Sequence, residues 1–182
     1  MLDAAILVGG SSSRMGSDKA LLDRCGRPAA VDLHHVLVEV GFDNVTLIGG
    51  DGSRFADHSV IHRVDTRPHQ GPLGGILTAL EATRSEWVLI LAVDLPGVSK
   101  VDIEKMVEAR RQHPFADIIH ASSSDGPQPL FGWWRRSTAQ TIDRALSMDR
   151  RSVRSVVGSL RTEHVEFESA VLRNANRPED LG

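Results

Sequence analysis

Apolar residues along this chain follow two alternating rhythms. "AAILV" (residues 4–8), "NVTLI" (44–48), "SVIHRV" (59–64), "WVLILAV" (87–93) and "ADIIHA" (116–121) are short apolar runs rich in β-branched side chains. Such runs read as strands, several of them covered on both faces. Between them the spacing changes to three and four. In "PAAVDLHHVLVEVG", Ala30, Leu33, Val36, Leu37 and Val40 line one helical stripe, and Gly41 is a natural stop. "GILTALEATRS" and "SKVDIEKMVEARRQH" repeat the stripe, the second with Ser99 as an N-cap. The alternation predicts an α/β fold, with a mostly parallel sheet and helices on both faces. "PLFGWW", "STAQTIDRALSM" and "HVEFE" then predict a mixed edge. No internal repeat, low-complexity tract or linker interrupts the pattern, so residues 1–182 read as a single domain.

Composition adds exclusions. Hydrophobic residues at 41% and charged residues at 25% are ordinary globular values. A formal charge of −3 supplies no basic field for nucleic acid. No apolar run reaches the length of a membrane span, and "MLDAAILVGG" lacks the basic stretch and cleavage site of a secretory leader. The single cysteine, Cys25, cannot form an internal disulfide and reads as a small packing residue. The expectation is a cytoplasmic protein with neither nucleic acid nor membrane as partner.

In sheets of this kind, ligands bind beyond the carboxyl ends of the strands. The first such exit is "LVGGSSSRMGSDKALL" (residues 7–22), three glycines and four serines with Arg14 and Lys19. Its glycines allow close backbone approach, and successive N–H groups can cradle phosphate oxygens. On composition alone a bland polar loop stands equal with a phosphate cradle. The stretch matches neither the Walker pattern nor G-x-G-x-x-G. Three further exits shift the balance. "DTRPHQGPLGGI" sets Asp65 before Gly71, Gly74 and Gly75 at a helix start. "DLPG" places Asp94 at the end of an apolar strand expected in mid-sheet. "VLRNANRPEDL" presents Asn174 and Asn176 two apart, before a helix opening at Pro178. Each has an ordinary turn or cap reading; together they look like a nucleotide site.

The first stretch resembles the L-x-G-G-x-S-x-R-M-G-x-x-K signature of small-molecule nucleotidyltransferases. "GPLGGI", "VDLP" and "NANRPEDL" follow in the order and spacing of the molybdenum cofactor guanylyltransferase family, over essentially the whole chain. The resemblance implies a Rossmann-like nucleotidyltransferase fold. It implies transfer of GMP from GTP to the phosphate of molybdopterin, with Mg²⁺ and release of pyrophosphate. Cofactor-biosynthesis and apoenzyme-maturation proteins would be further partners. Carried over by position, Leu7, Gly9, Gly10, Arg14, Gly16 and Lys19 would hold GTP, with Lys19 on the phosphates. Asp65, Gly71 and Gly75 would line the nucleotide pocket, Asp94 would bind the metal, and Asn174 and Asn176 would lie on the acceptor side. Arg14, Lys19 and Asp94 are then the catalytic candidates. The chain departs from the family at Val8 and Gly74, where alanine is common, and "NVTLI" exits into "GGDGS" with no side chain before Asp51 to meet a base.

The chemistry needs no side-chain nucleophile, since an ionised phosphate attacks the α-phosphorus and positioning and charge neutralisation do the work. His58 and His62 lack a completing ligand set and read as surface or core histidines; His34 and His35 diverge on a helix. Arg150, Arg151 and Arg154 open a short helix and read equally as an anion site or a solvated entry. Of adjacent Trp133 and Trp134, a strand turns only one inward, leaving the other for a partner chain or the pterin. A sister nucleotidyltransferase using CTP or another small phosphorylated acceptor and a non-catalytic GTP-binding module are the other readings.

Overall fold

The structure, a computed structural model, describes residues 1–9, the backbone of 23–24, and residues 27–174. Gly10, Arg14, Gly16, Lys19, Cys25, Asn176 and the helix expected from Pro178 lie outside the described residues. Nine strands and five helices are described: β1 (Asp3–Leu7), β2 (Asp23–Arg24), β3 (Arg27–Pro28), α1 (Ala29–Val40), β4 (Asn44–Ile48), β5 (Ile61–Arg63), α2 (Pro72–Ala82), β6 (Trp87–Ala92), α3 (Lys100–Gln112), β7 (Ile118–Ser123), β8 (Gly126–Arg135), α4 (Ala139–Ser147), α5 (Val153–Val157) and β9 (Thr162–Glu166).

Seven strands form one sheet in the order β5-β4-β1-β6-β8-β7-β9, and β2 pairs with β3 in a small ribbon. From β5 to β6 all pairing is parallel. β8 then runs antiparallel to both β6 and β7, while β9 returns parallel to β7. This is the mostly parallel sheet with a mixed edge that the apolar runs predict. β6 occupies the fourth of seven positions, and all six of its residues are buried. Its lack of any polar side chain suits a strand covered on both faces.

Helices cover both faces. On one, α1 (Ala30, Leu33, Leu37) and α3 (Ile103, Met106) pack on Ile6, Leu47, Leu89 and Leu91. On the other, α2 (Leu73, Ile76, Leu77), α4 (Ile142) and α5 (Val156) pack on Ala5, Leu7, Val88 and Ile90. The two sets alternate along each strand because successive side chains point to opposite faces. Local signals set the helix ends. Gly41 closes α1 at φ 101°, where its N–H reaches the carbonyls of Leu37 and Val38. Ser99 and Asp102 form a reciprocal capping box at the start of α3.

Three expectations are corrected. The strand in "SVIHRV" shrinks to Ile61–Arg63, because this edge strand pairs only with Thr46–Ile48. His58 therefore precedes the strand, and only His62 lies on it. The helix in "GILTALEATRS" begins three residues earlier, at Pro72, since Gly71 turns the chain and proline suits the first helical position. Trp133 and Trp134 are both fully buried, one on each face of β8. Trp133 donates its indole N–H to the Met106 carbonyl at 2.8 Å, stacks on Phe42 and lies under the Arg110 guanidinium. Trp134 donates to the Pro129 carbonyl at 3.1 Å. Helices on both sides give each ring a core, so neither faces a ligand or a partner.

The two rings test this directly. Trp133→Ala and Trp134→Ala are each expected to lose about 3–5 kcal/mol in urea denaturation, the usual loss for a buried aromatic. A loss below about 1 kcal/mol, as at surface sites, would place that ring outside the core.

Candidate functional site

The parallel half of the sheet brings four strand exits to one edge. Leu7 pairs with Ile48 on one side and Ala92 on the other, and Ile48 pairs with Arg63. The ladder runs one residue further: Val8 N–H donates to the Ile48 carbonyl at 3.0 Å and Val93 N–H to the Leu7 carbonyl at 3.3 Å. Gly9, Gly49, Asp65 and Asp94 therefore leave the sheet side by side.

Bare backbone lines the first two exits. A Cβ on Gly9 would stand 3.0 Å from Gly50 N and 3.2 Å from Gly49 Cα. Gly49 and Gly50 have φ of 82° and 66°, a region that favours glycine. Behind them, His62 donates through Nε2 to the Gly49 carbonyl at 2.8 Å, and Gly52 packs on its ring. His62 thus supports this turn as a packing residue. Asp51 caps the following turn through Ser53, whose hydrogen bonds hold its carboxyl below the ordinary carboxylate range. Leu7 and Gly75 are placed inward: the Leu7 side chain is buried, and a Cβ on Gly75 would meet its Cδ2 at 3.1 Å. The methylene saved at Gly75 lets α2 settle on β1.

The third exit is a loop folded onto α2. Asp65 Oδ1 accepts from Arg67 N–H at 2.8 Å and lies 3.1 Å from Thr78 Oγ1. Thr66 N–H donates to Thr78 Oγ1 at 3.0 Å. A Cβ on Gly74 would stand 2.5 Å from the Arg67 carbonyl oxygen, so this chain's glycine leaves room for the loop. At the loop's end His69 and Gly71 both have φ of 66°. Gly71 provides no side-chain cap to the 11-residue α2; Pro72 has no N–H, the Gly74 N–H donates to the Gly71 carbonyl at 3.1 Å, and the Leu73 N–H has no side-chain cap. Such a terminus favours anions.

Asp94 stands half-buried at the fourth exit, beyond the central strand. The turn after it fits closely against the chain's later part. A Cβ on Gly97 would lie 2.8 Å from the Ala170 carbonyl and 2.9 Å from Val171 Cα. That contact docks the segment that leads to Asn174, whose Oδ1 accepts from Gln128 Nε2 at 3.2 Å beside the start of β8. The structure thus brings the Asp94 turn and the Asn174 segment together. Of the arginine cluster, Arg151 pairs with Asp149 at 2.8 Å and reaches the His69 carbonyl at 3.5 Å. The α4–α5 connection therefore borders the loop before α2. Sequence reading missed Thr78 and Gly97, whose partners lie far along the chain; a lone threonine on an apolar helix face was the available signal for the first.

Among the described residues, no group of three or more His, Cys, Asp or Glu could hold a metal ion. A cavity of about 720 Å³ lies at the opposite end of the sheet, lined by Glu81, Arg84, Glu86, Arg135 and Arg136. Arg135 is engaged there by Glu86 and the carbonyls of Pro114 and Ala116. It is remote from all four exits.

Comparison with known proteins bears out the fold and gives the family. A family profile described as a MobA-like NTP transferase domain matches residues 4–165. A "Probable molybdenum cofactor guanylyltransferase" of Opitutus terrae is 32% identical over 189 aligned residues, covering 98% of this chain and 92% of the relative. The "Molybdenum cofactor guanylyltransferase" of Pseudomonas aeruginosa PAO1 is 30% identical, covering 97% and 90%. The solved molybdopterin-guanine dinucleotide biosynthesis protein A of Archaeoglobus fulgidus superposes with a TM-score of 0.78 at 22% identity, over 99% and 95% of the two chains. A CMP:2-keto-3-deoxy-manno-octonic acid synthetase solved with CTP also superposes at 0.78, with 12% identity and the same coverage. The fold is therefore shared with a protein solved with CTP.

Gly97→Ala tests the joint between the Asp94 turn and the Asn174 segment. Overpacking of this kind costs about 1–3 kcal/mol. The expected outcome is a folded protein with faster proteolysis near residues 170–174, measured by limited digestion with mass spectrometry. Unchanged cleavage would show that the segment does not depend on this contact.

Proposed function

The chain belongs to the MobA-like NTP transferase family, and we propose that it transfers GMP from GTP to the phosphate of molybdopterin, releasing pyrophosphate. One observation carries the reading: Asp94, the Asp65 loop and the N-terminus of α2, which has no side-chain cap, meet at one edge, beside bare backbone. Full-length relatives at about 30% identity named for this reaction support it.

In this reading the chain divides its labour along its length. Residues of the N-terminal part hold GTP: Gly9 and Gly10 by close backbone approach, Arg14 and Lys19 by charge on the phosphates, and Asp65 and Gly71 along the pocket wall. Asn174 and Asn176 hold the acceptor from the C-terminal part. An acceptor phosphate oxygen attacks the α-phosphorus while the bond to the β-phosphate breaks, and pyrophosphate leaves with the electron pair. No side chain enters the covalent chemistry. Bringing two anions together is the main barrier, and fixed positive groups lower it.

Asp94 fits Mg²⁺ by the chemistry of its donor set. One carboxylate, with nucleotide oxygens and water completing the shell, is the usual arrangement for a cation that dehydrates reluctantly. Bound there, Mg²⁺ would supply neutralisation of the phosphate charge. Asp94 itself is held by its place after a buried central strand, the rigidity that a ligand needs. A cytoplasmic setting completes the proposal, in keeping with one cysteine in the whole sequence.

The deciding experiment incubates the protein with molybdopterin, Mg²⁺ and each nucleoside triphosphate in turn, reading dinucleotide product and pyrophosphate. GTP is expected to give product. Product from CTP alone would establish the sister activity, and GTP binding without pyrophosphate a non-catalytic module. Asp94→Asn is expected to fold normally by circular dichroism and to lose at least about 100-fold in turnover across a Mg²⁺ titration, roughly 3 kcal/mol of transition-state stabilisation. Turnover equal to the parent's would move the metal site elsewhere.

A further inference from the structure

Thr78 is a buried hydroxyl on an otherwise apolar helix face. It is 3% exposed, and its neighbours Leu73, Ile76, Leu77 and Leu80 all lie in the core. Packing alone would be served by valine. The hydroxyl instead has four polar neighbours within 3.1 Å. One, the Gly74 carbonyl at 3.0 Å, is the ordinary bond of a helical threonine to the preceding turn. The other three come from the loop at the exit of β5: Thr66 N–H at 3.0 Å, Thr66 Oγ1 at 2.9 Å and Asp65 Oδ1 at 3.1 Å.

The consequence falls on Asp65. With Arg67 N–H and the Thr78 hydroxyl on Oδ1, and Oδ2 3.2 Å from where a Cβ on Gly74 would stand, the carboxylate is held against its own loop and the first turn of α2. Gly74 lets the same loop lie directly on the first turn of α2, with the Arg67 carbonyl where a Cβ would otherwise stand. The loop is thus attached to α2 sterically at Gly74 and by polar contacts at Thr78 and, through Arg67, at Glu81; of the polar contacts, the one from Thr78 reaches the Asp65 carboxylate.

We propose that Thr78 is a positioning residue of the nucleotide site, fixing the Asp65 carboxylate and its loop so that the pocket is formed before GTP arrives. This rests on the proposed GTP-dependent reading. Preorganisation of this kind lowers the ordering cost of binding, so its loss appears in affinity. Thr66 is exposed, so water can satisfy its N–H when the hydroxyl is gone, and the change stays local.

The test compares Thr78→Val, which keeps the volume, with Thr78→Ser, which keeps the hydroxyl. In the guanylyl-transfer assay, Thr78→Val is expected to raise KM for GTP by about fivefold, the worth of one hydrogen bond, with kcat within about twofold of the parent. Thr78→Ser is expected to restore KM. Unchanged KM in a folded Thr78→Val protein overturns the proposal, as does a fall in kcat that serine does not rescue. A parent protein that binds GTP while the valine variant binds equally well refutes the positioning role alone; a parent that binds no GTP refutes the nucleotide reading and this role with it. Should the valine variant not fold, hydrogen exchange on the parent decides. Slow exchange at the Thr66 and Arg67 amides before GTP is added supports the clasp, and fast exchange there overturns it.

Discussion

The ladders on both sides of Trp87–Ala92 join two halves of different design, and the rest of the molecule is arranged around them. On one side β6 meets β1 in parallel, and the crossovers through α1, residues 49–60 and α2 carry the exits of β5, β4, β1 and β6 to the same edge. On the other side β6 meets β8 antiparallel, so the chain that returns along β8 starts from that same edge. The two parts of a transfer reaction thereby share one end of one sheet. A central strand buried on both faces can offer no side chain to chemistry along its length. Its polar residue comes only after it ends, at Asp94.

Close approach of backbone is the second constraint. Three contacts at the site exist because a Cβ is missing: Gly9 against Gly49 and Gly50, Gly74 against the Arg67 carbonyl, and Gly97 against Ala170 and Val171. Each joins a strand exit to a different neighbour. The first leaves a floor of peptide groups, the second seats the Asp65 loop on α2, and the third ties the Asp94 turn to the segment before Asn174. Glycine here makes contacts between elements, a role distinct from the conformational one that Gly41 and Gly71 have at helix ends.

Charge at the site is arranged by short local bonds. The Asp65 carboxylate is bound into its loop, Asp51 into the turn at residues 52–55, and Arg151 between Asp149 and the His69 carbonyl. Both non-glycine residues with positive φ among the described residues, His69 and Asp149, are partners of that one guanidinium. The α4–α5 connection and the loop before α2 are thus coupled across the site.

What the sequence determined by itself is whatever depends on neighbours a few residues away. The apolar runs specify β1, β4 and β6; the stripe and Gly41 specify α1; Ser99 and Asp102 specify the start of α3. Pattern and spacing also located the exits at Asp65 and Asp94, because a polar residue ending an apolar run is a local signal. Tertiary structure decided the remainder. Trp133 and Trp134 are both buried because helices distant in sequence cover both faces of β8, which alternation along one strand cannot foretell. The strand at Ile61–Arg63 is short because β4, its partner among the described residues, pairs with it over three residues. Thr78 reaches Asp65 across 13 positions, and Gly97 meets Ala170 across the whole mixed edge. Such contacts follow from the order of strands in the sheet, and no local preference of the chain encodes that order.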